Sequence, residues 1–446
     1  MSVLHELGHV PAAPVSAQLE AARAHAHHGP SSRRPRQGSA LCLSGGGFRA
    51  ALFHLGAVQR LDELGVLGGL RTISAVSGGA LVANLLADPR LDWPDPSDPS
   101  GPGGRVGGLS EHVVEPLRRL TARNVRTPAM LARLRPGGWG RPDAPVRALT
   151  EALLSEIPWW EQDLREARRG GPAILTGATE VGYGVSWVFA DARSVWPRGR
   201  VGDHRLGYAA PPPGVRIVDA VVASCAHPPW FPAVDVDGTG WGLTGGTADP
   251  QEAPEVREAI LGRIQLADGG VYDNLGLEPV WTDHETVLVS DGGALFRGQP
   301  AGSVVGRLWR LLSIAAGGGH TTRLRWLRSA FSAGLLHGAT WSLEAPTAVS
   351  KVPGHGLPAG VGGAYPDDVV AAISRIRTDL DAFTTDEQHV LERHGYVVAD
   401  ASLRAYSPGA IVTEHPFRPP YPHLAAGGDV HRVLARSDRV TALGRH

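Results

Sequence analysis

A serine followed by two glycines is the first stretch of this sequence that could support nucleophilic catalysis. Ser77 comes directly after the apolar run 72–76 and directly before a helical run, 80–86. A serine on a sharp turn between a strand and a helix holds its hydroxyl out of the sheet. Small residues two positions before and after are needed at such a turn, and Ala75 and Gly79 meet this need. Ser77 is therefore a candidate nucleophile, although strings of this kind are more often plain turns.

A glycine-rich stretch, Ser44–Arg49, lies between the apolar run 40–43 and a second helical run. Consecutive glycines at a helix start leave backbone N–H groups free to face an anion, either a phosphate or the oxyanion of a tetrahedral intermediate. A phosphate-binding loop would end in Gly-Lys-Ser/Thr, which is absent, and a dinucleotide fingerprint would have glycine where Ala50 stands. The oxyanion and a plain tight turn remain as alternatives.

Two identical tripeptides, 268–270 and 291–293, place an aspartate followed by two glycines at the end of an apolar run. Glycines after an acid let the backbone approach a partner closely, so either aspartate could serve as a base. An aspartate in a turn or a helix cap is the more common explanation of such a string taken alone. The residues by themselves therefore leave the choice between Asp268 and Asp291 open.

In this order, the glycine loop, the serine turn and the Asp-Gly-Gly string resemble the patatin-like phospholipase family, over residues 40–295. The continuation of the first Asp-Gly-Gly string, Val271–Gly276, matches the family's catalytic block and favours Asp268 over Asp291. The segment Ala223–Pro232 is similar to the one beside the family's pocket. The string Ile376–Asp381 is familiar from bacterial members, without an assigned role.

The resemblance implies a serine-dependent lipid acyl hydrolase, acting on phospholipids or lysophospholipids through a Ser77–Asp268 dyad and needing no cofactor or metal. In such a dyad Asp268 must accept the serine proton directly, and partial burial would raise its pKa toward usefulness. Two motif positions depart from the family pattern, with Ala50 and Ala75 in place of glycine, and altered packing rather than lost activity is expected. The implied oxyanion donors are Gly45, Gly46 and Gly47, and the implied supporting residues are Arg49, Gly78, Gly79, Gly269 and Gly270.

Other functions stay open at this stage. Nineteen histidines leave a Ser–His–Asp triad possible, with His54 and His227 nearest to the motifs, although each is more often a packed or surface residue. A catalytically silent lipid-binding or interaction module on the same fold is the main alternative function, and a nucleotide-binding protein is a third. The string His5–His9 spells a zinc-protease helix, but Pro11 follows it and no sheet precedes it.

The elements that must position these residues alternate between strands and helices. This rhythm predicts an α/β fold, a three-layer α/β/α sandwich with a mainly parallel central sheet. Further helices are expected at 110–122, 144–156 and 367–395, and strands at 173–179, 185–190, 264–267 and 286–290. A helical pattern over 303–336 is expected to break at Gly317–Gly319. Its arginines and tryptophans suit either a membrane surface or, as the favoured reading, packing on the core with a solvated face.

The expected organisation is a mobile leader, 1–38, a catalytic domain, 39–400, and a C-terminal extension, 401–446, of unknown role. Loop insertions rich in Pro, Gly and Asp are predicted within the catalytic domain, near 89–108, 196–214 and 238–252.

The composition of the chain excludes some classes of function. With 43 basic and 44 acidic residues, the net charge of −1 argues against a nucleic-acid partner. The two cysteines, Cys42 and Cys225, are expected to be buried thiols. The sequence shows no secretory signal and no run long enough to span a bilayer, so a cytoplasmic protein is expected, with any membrane contact peripheral. The expected partner is a lipid substrate at a membrane surface.

Overall fold

The computed structural model describes residues 36–95, 104–135, 138–166, 170–191, 200–247, 253–293, 303–344 and 364–439. The zinc-protease-like string and nearly all of the predicted leader lie outside these residues. So do parts of the three predicted insertions.

Eleven strands of the described residues form one sheet. The order β11-β10-β1-β2-β3 is parallel throughout, and the sheet continues through antiparallel strands β4, β5, β6 and β8. Strand β9 pairs antiparallel with β3 and with β7. The strands are β1 Ser39–Leu43, β2 Leu70–Val76, β3 Ala173–Glu180, β4 Val185–Ala190, β5 Val201–Asp203, β6 Gly207–Ala209, β7 Val234–Val236, β8 Thr244–Gly245, β9 Ile264–Asp268, β10 Thr286–Asp291 and β11 His337–Ser342.

Helices cover both faces of the parallel part of the sheet, and the predicted three-layer α/β fold is confirmed. They are α1 Gly47–Glu63, α2 Gly78–Leu85, α3 Glu115–Thr121, α4 Arg126–Met130, α5 Ala144–Glu156, α6 Ile217–Cys225, α7 Pro254–Gly262, α8 Gly270–Asp273, α9 Val304–Ser332, α10 Asp367–Ile373, α11 Thr385–Tyr406 and α12 Gly427–Val433.

Strand β1 shows how the two layers are built. Successive side chains of a strand point to opposite faces. Leu41 and Leu43 belong to the larger apolar cluster, which includes side chains of α1, α2, α6 and α11. Ala40 and Cys42 belong to a second cluster, which includes Leu327 of α9. The near-continuous apolar sequence of β1 follows from this burial on both faces.

The contact between α1 and α11 is very close, because each helix presents a glycine to the other. A Cβ atom at Gly56 would stand 1.8 Å from the carbonyl oxygen of Glu392, and one at Gly395 would stand 1.9 Å from that of Phe53. Even alanine would therefore force the helices apart. This packing joins the C-terminal part of the chain to the helix that begins in the glycine loop.

Several sequence predictions about the later elements were wrong. Helix α9 runs unbroken through Gly317–Gly319, and its second half packs through Leu327 on the core. The predicted helix 367–395 is two helices, α10 and α11, with a turn between them. Short strands occupy the described parts of the insertions 196–214 and 238–252. The boundary drawn between 400 and 401 falls inside α11.

Among the described residues, no helix is both long and apolar enough to cross a membrane.

Candidate active site

The turn between β2 and α2 is a single residue, Ser77. Its backbone has φ 51° and ψ −119°, in the left-handed region that residues other than glycine rarely adopt and that is enriched at functional sites. The Ser77 N–H donates to Oγ of Ser224 at 2.8 Å, and that hydroxyl donates to the carbonyl oxygen of Gly177 at 2.6 Å. Neighbouring elements therefore hold the turn in this conformation.

The small residues that follow Ser77 are required by packing, as the motif predicted. A Cβ atom at Gly78 would lie 2.2 Å from the carbonyl oxygen of Gly47, and one at Gly79 would lie 2.2 Å from that of Leu43. The Gly79 N–H also donates to the Ser44 carbonyl oxygen at 3.1 Å. The start of α2 therefore rests directly on the backbone of β1 and the glycine loop.

Asp268 ends β9 and is almost fully buried. Its carboxylate accepts the Gly270 N–H at 2.7 Å. Burial raises the pKa of Asp268 above its ordinary value, while His227, the Gly270 N–H and a hydrogen bond from Ser77 counteract part of this rise. The structure thus brings together the two side chains that the motifs singled out, close enough for the serine hydroxyl to lower the pKa of the carboxylate.

His227 is the imidazole nearest to this pair. Its Nδ1 lies 3.7 Å from Asp268 Oδ2, beyond hydrogen-bond distance, and 54% of its side chain is exposed. No hydrogen bond joins its ring to Ser77 in the described part of the chain. His54, the other candidate, is buried behind the glycine loop, where its ring nitrogens contact Ser290 Oγ at 2.7 Å and the Ser44 carbonyl oxygen at 2.9 Å. Burial lowers the pKa of His54 to about 4.

The glycine loop lines the same pocket, but the prediction of three free N–H groups was wrong at one position. The Gly45 N–H donates to the carbonyl oxygen of Asn274 at 2.9 Å. Gly46, with φ 145°, and Gly47, with φ 61°, donate no backbone hydrogen bond among the described residues. The Gly78 N–H likewise donates no backbone hydrogen bond among these residues. Three N–H groups at two helix starts therefore remain available to an anion.

Asn274 is a pocket residue for which the sequence motifs predicted no role. A Cβ atom at Gly45 would lie 2.3 Å from its Oδ1, and one at Gly270 would lie 2.5 Å from the same atom. Its side chain therefore fits between the glycine loop and the Asp-Gly-Gly turn, and both glycines are required by its bulk. The block 271–276 contained Asn274, but its contact with a loop more than 200 residues earlier could not be read from the sequence.

Arg49 supports the glycine loop from behind. Its buried guanidinium donates to the carbonyl oxygens of Ile376 at 2.9 Å and Gly292 at 3.2 Å. The loop is therefore fixed to the chain after β10 and to the segment between α10 and α11. Gly269, named as a supporting residue, lies against β3, where a Cβ atom would be 2.5 Å from the carbonyl oxygen of Gly177.

The second wall of the pocket comes from the segment 378–380, which the sequence motif included without a role. The Phe48 N–H donates to the Asp379 carbonyl oxygen at 2.9 Å, so this segment rests on the start of α1. The Asp379 carboxylate pairs with Arg126 of α4 at 2.5 Å, and both side chains are buried. Between this wall and Asp268 lies a pocket of about 340 Å³, to which Cys225, Trp230 and Phe231 add apolar surface.

The second Asp-Gly-Gly string has a different environment. Asp291 Oδ2 lies 3.1 Å from Nε2 of His320, and its Oδ1 accepts the Gly293 N–H at 3.0 Å. Burial alone would raise the pKa of Asp291, but His320 and the Gly293 N–H bring it below its ordinary value. Asp291 is not among the residues that line the pocket.

Fold and site together define an α/β protein in which a serine at a strand–helix turn, a buried aspartate and two glycines with unpaired N–H groups line one pocket. The sequence profile of the patatin-like phospholipase family matches residues 41–99 and 200–281. This match confirms the resemblance seen in the motifs over these segments, which make up less than half of the chain. No curated protein matches this chain significantly.

Solved structures give weaker likenesses. Human GIVD cytosolic phospholipase A2 is 12% identical, with a TM-score of 0.45, and the match covers 95% of this chain and 67% of that one. The same human protein in complex with methyl gamma-linolenyl fluorophosphonate is 15% identical, with a TM-score of 0.43 and coverage of 95% and 65%. VipD from Legionella pneumophila is 15% identical, with a TM-score of 0.31 and coverage of 83% and 67%.

Proposed function

We propose that this protein is a serine-dependent lipid acyl hydrolase that cleaves fatty-acyl esters of phospholipids or lysophospholipids. The family match supports a hydrolase acting on lipid esters. The observation that carries the proposal is the buried Asp268 carboxylate, which lines one pocket with Ser77 and whose pKa is lowered by the Ser77 hydroxyl. A silent binding module would need neither a base in contact with the serine nor free N–H groups beside it.

In the proposed reaction Asp268 takes the Ser77 proton as Oγ attacks the ester carbonyl carbon. Negative charge develops on the carbonyl oxygen, and in this proposal the unpaired N–H groups of Gly46, Gly47 and Gly78 donate to it. The C–O bond to the leaving alcohol then breaks, and Asp268 returns its proton to that oxygen. Water attacks the resulting acyl-serine by the same path, with Asp268 again as the base, and releases the fatty acid.

The raised pKa of Asp268 suits this role. A carboxylate at its ordinary pKa of about 3.9 is a weak base at neutral pH. Burial makes Asp268 a stronger base, while its contacts with the Gly270 N–H and Ser77 keep the charged form available. Both protonation states are needed in each turnover.

The experiment is a hydrolysis panel of defined phospholipids, lysophospholipids and neutral glycerides, with the Ser77→Ala variant as the matched inactive control. We expect release of fatty acid from at least one of the two phospholipid classes by the wild-type protein and none by the variant. Turnover of neutral glycerides alone would contradict the proposed substrate class. Absence of both turnover and fluorophosphonate labelling in the folded wild-type protein would favour the silent module.

We further propose that the pocket meets its substrate at an anionic lipid surface, through exposed side chains that follow α4. Helix α4 begins with the pocket residue Arg126 and leads directly into this segment. Leu134 is 75% exposed and Trp139 is 88% exposed. A Cβ atom at Gly138 would lie 2.0 Å from the carbonyl oxygen of Ala132, so the backbone just before Trp139 packs closely on the turn that carries Leu134.

Charge supports a lipid partner for this segment. The exposed arginines Arg133, Arg135 and Arg141 flank the apolar side chains, and arginine with tryptophan and leucine is typical of residues that bind the interface of anionic membranes. Trp230, 46% exposed, adds an apolar side chain at the pocket itself.

Vesicle co-sedimentation tests this contact. Wild-type protein is expected to bind vesicles of phosphatidylserine and phosphatidylcholine more strongly than vesicles of phosphatidylcholine alone, and Trp139→Ser should weaken that binding severalfold. The matched control is Leu335→Ser, because Leu335 is 66% exposed but precedes β11, whereas the pocket residues Gly45 and Ser77 follow the opposite ends of the parallel strands β1 and β2. Equal loss in both variants, or self-association instead of vesicle binding, would contradict the assignment.

A further inference from the structure

Three side chains with metal-binding atoms converge at the start of α11, away from the pocket. Asp386 and His389 lie three residues apart in its first turns, so they project from one face of the helix. His423 reaches the same point from the loop before α12. One donor atom from each of the three lies within 4.8 Å of the other two.

These three side chains lack the partners that polar groups usually have. None of them forms a hydrogen bond or an ion pair with another residue in the described part of the chain, and His389 Nδ1 is buried without a partner. A buried imidazole nitrogen normally has a hydrogen bond or a metal ligand, because leaving it unsatisfied is unfavourable. The dipole at the start of α11 stabilises the negative charge of Asp386, but it does not explain why two histidines without hydrogen-bond partners lie beside it.

Neighbouring contacts hold the two histidines in place. The His389 ring stacks on Tyr421, with 3.7 Å between ring centroids and 9° between planes. The Tyr421 hydroxyl donates to Glu392 at 2.7 Å, and Arg393 donates to the Pro420 carbonyl oxygen at 2.7 Å. The loop that carries His423 is therefore bound to the same helix as the other two residues.

Arg118, a cation that acts electrostatically on His389, is already neutralised. Arg118 pairs with Glu392 at 2.7 Å and with Glu115 at 3.0 Å. Its charge therefore opposes a bound metal ion only weakly, while Asp386 supplies the negative charge that such an ion favours.

We propose that Asp386, His389 and His423 form a binding site for a divalent transition-metal cation, of which Zn²⁺ fits best. Two imidazoles and one carboxylate are a common ligand set for zinc, with water or a further ligand in the fourth position. Tetrahedral zinc with bonds of about 2.0 to 2.1 Å separates its ligand atoms by roughly 3.4 Å. Small side-chain rotations bring atoms within 4.8 Å to that spacing.

The site would link the C-terminal loop to the helix start that supports the pocket wall. The first turn of α11 carries Glu387, which binds Arg377 at 2.7 Å, and Arg377 directly precedes the pocket residues 378–380. Metal binding would therefore stabilise the C-terminal region and, through it, this wall, without touching Ser77 or Asp268.

The test uses the full-length protein, purified without a histidine tag, stripped with chelator and titrated with ZnCl₂ by calorimetry. Wild-type protein is expected to bind at this site with one equivalent and a raised Tm. His389→Ala and His423→Ala should each weaken that binding at least tenfold and remove the Tm shift. Asp386→Asn keeps the helix start and should weaken binding as well.

Two controls separate this site from other histidines. His431→Ala removes a surface histidine that pairs with Asp368 and should bind zinc as the wild type does. The double variant His5→Ala/His9→Ala removes the other zinc-like string and should keep the Tm shift. The proposal is overturned if the wild type binds no zinc, or if binding and the Tm shift disappear in the double variant yet persist in His389→Ala and His423→Ala.

Discussion

The same tripeptide, Asp-Gly-Gly, ends two strands of this sheet, and the two aspartates have opposite electrostatic environments. Asp268 is buried beside a serine hydroxyl, and its pKa lies above its ordinary value. Asp291 is buried beside an imidazole, and its pKa lies below its ordinary value. Both accept the N–H of the second glycine of the string, at 2.7 and 3.0 Å. The local backbone is alike, so the difference comes from what the rest of the fold places opposite each carboxylate.

This comparison separates two uses of a buried carboxylate. A charge buried with an opposite charge stabilises the fold as long as both partners are present. A charge buried against an exposed imidazole beyond hydrogen-bond distance and a hydroxyl is less well compensated, and the carboxylate becomes a better proton acceptor. We therefore expect Asp291 to matter mainly for stability and Asp268 mainly for reaction rate.

The largest expected effect on activity comes from removing the hydroxyl of Ser77, the serine beside Asp268. Ser77→Ala should abolish covalent labelling by a fluorophosphonate and all ester hydrolysis, because no other group takes over a missing nucleophile. The control is Ser224→Ala, which removes a neighbouring serine bound to the Ser77 N–H and should leave labelling present but slower. Persistent stoichiometric labelling of folded Ser77→Ala would show that Ser77 is not the nucleophile.

A change in the glycine loop should reduce turnover without touching either carboxylate. Gly46→Ala places a Cβ 2.9 Å from the Gly292 carbonyl oxygen at φ 145°, which should displace an N–H that faces the pocket. Losing one oxyanion donor costs about a hundredfold or more in rate. Gly69→Ala is the control, since nothing lies within 4 Å of its Cβ. We would abandon the oxyanion role if folded Gly46→Ala kept its kcat for ester hydrolysis.

The stability of the fold should respond in opposite ways to the same substitution at the two strings. Asp291→Asn leaves His320 without its partner and should lower the free energy of unfolding by about 3 kcal/mol at pH 5.5. Asp268→Asn removes a carboxylate whose charged form is disfavoured by burial, and should leave that free energy unchanged or raise it. Urea unfolding followed by tryptophan fluorescence measures both. Destabilisation by Asp268→Asn, with none by Asp291→Asn, would contradict the assignment of a stabilising role to Asp291 rather than to Asp268.

The contribution of the Asp291–His320 pair should depend on pH in a defined window. Asp291 has a folded pKa below its unfolded value of about 3.9, so its stabilising effect is present above that pH and lost as pH falls through the folded pKa. His320 has a raised pKa, so its effect is present below its unfolded pKa of about 6.5 and lost as pH rises through the folded pKa. The destabilisation caused by Asp291→Asn should therefore be greatest between about pH 4 and 6.5.

The smallest expected effect concerns His227. The protonated imidazole lowers the pKa of Asp268, so His227→Ala should move the acid limb of kcat/KM to higher pH, by less than about one unit, and leave the plateau nearly unchanged. A pH profile from 4 to 8 measures the shift. A plateau reduced a hundredfold would instead indicate that His227 is itself the base.

The parts of the site that lie within one strand–turn–helix unit could be predicted from the sequence. Ser77 and its glycines are local, because the turn alone dictates small residues around an exposed serine. Asp268 was selected over Asp291 only by its continuation, 271–276, since the tripeptides are identical.

What the sequence could not reveal depends on contacts between distant segments. The wall formed by Arg126 and Asp379 joins residues 253 positions apart, and the sequence around neither residue indicates its partner. The hydrogen bond from the Gly45 N–H to the Asn274 carbonyl oxygen also joins distant segments, so it could not be predicted either. Helix α9 was predicted to break because glycine disfavours a helix by about 1 kcal/mol per residue. Packing of its second half on the core, through Leu327 and contacts of Arg323 with Glu278, opposes that preference.

The rate of fluorophosphonate labelling in Asp268→Asn and Asp291→Asn tests the central claim most directly, because it reports activation of the serine before any lipid binds at an interface. Asparagine keeps the shape of each side chain and removes its capacity to accept the proton. We expect labelling to slow at least about a hundredfold in Asp268→Asn and to stay close to the wild-type rate in folded Asp291→Asn. Wild-type labelling by Asp268→Asn, together with slow labelling by Asp291→Asn, would contradict it.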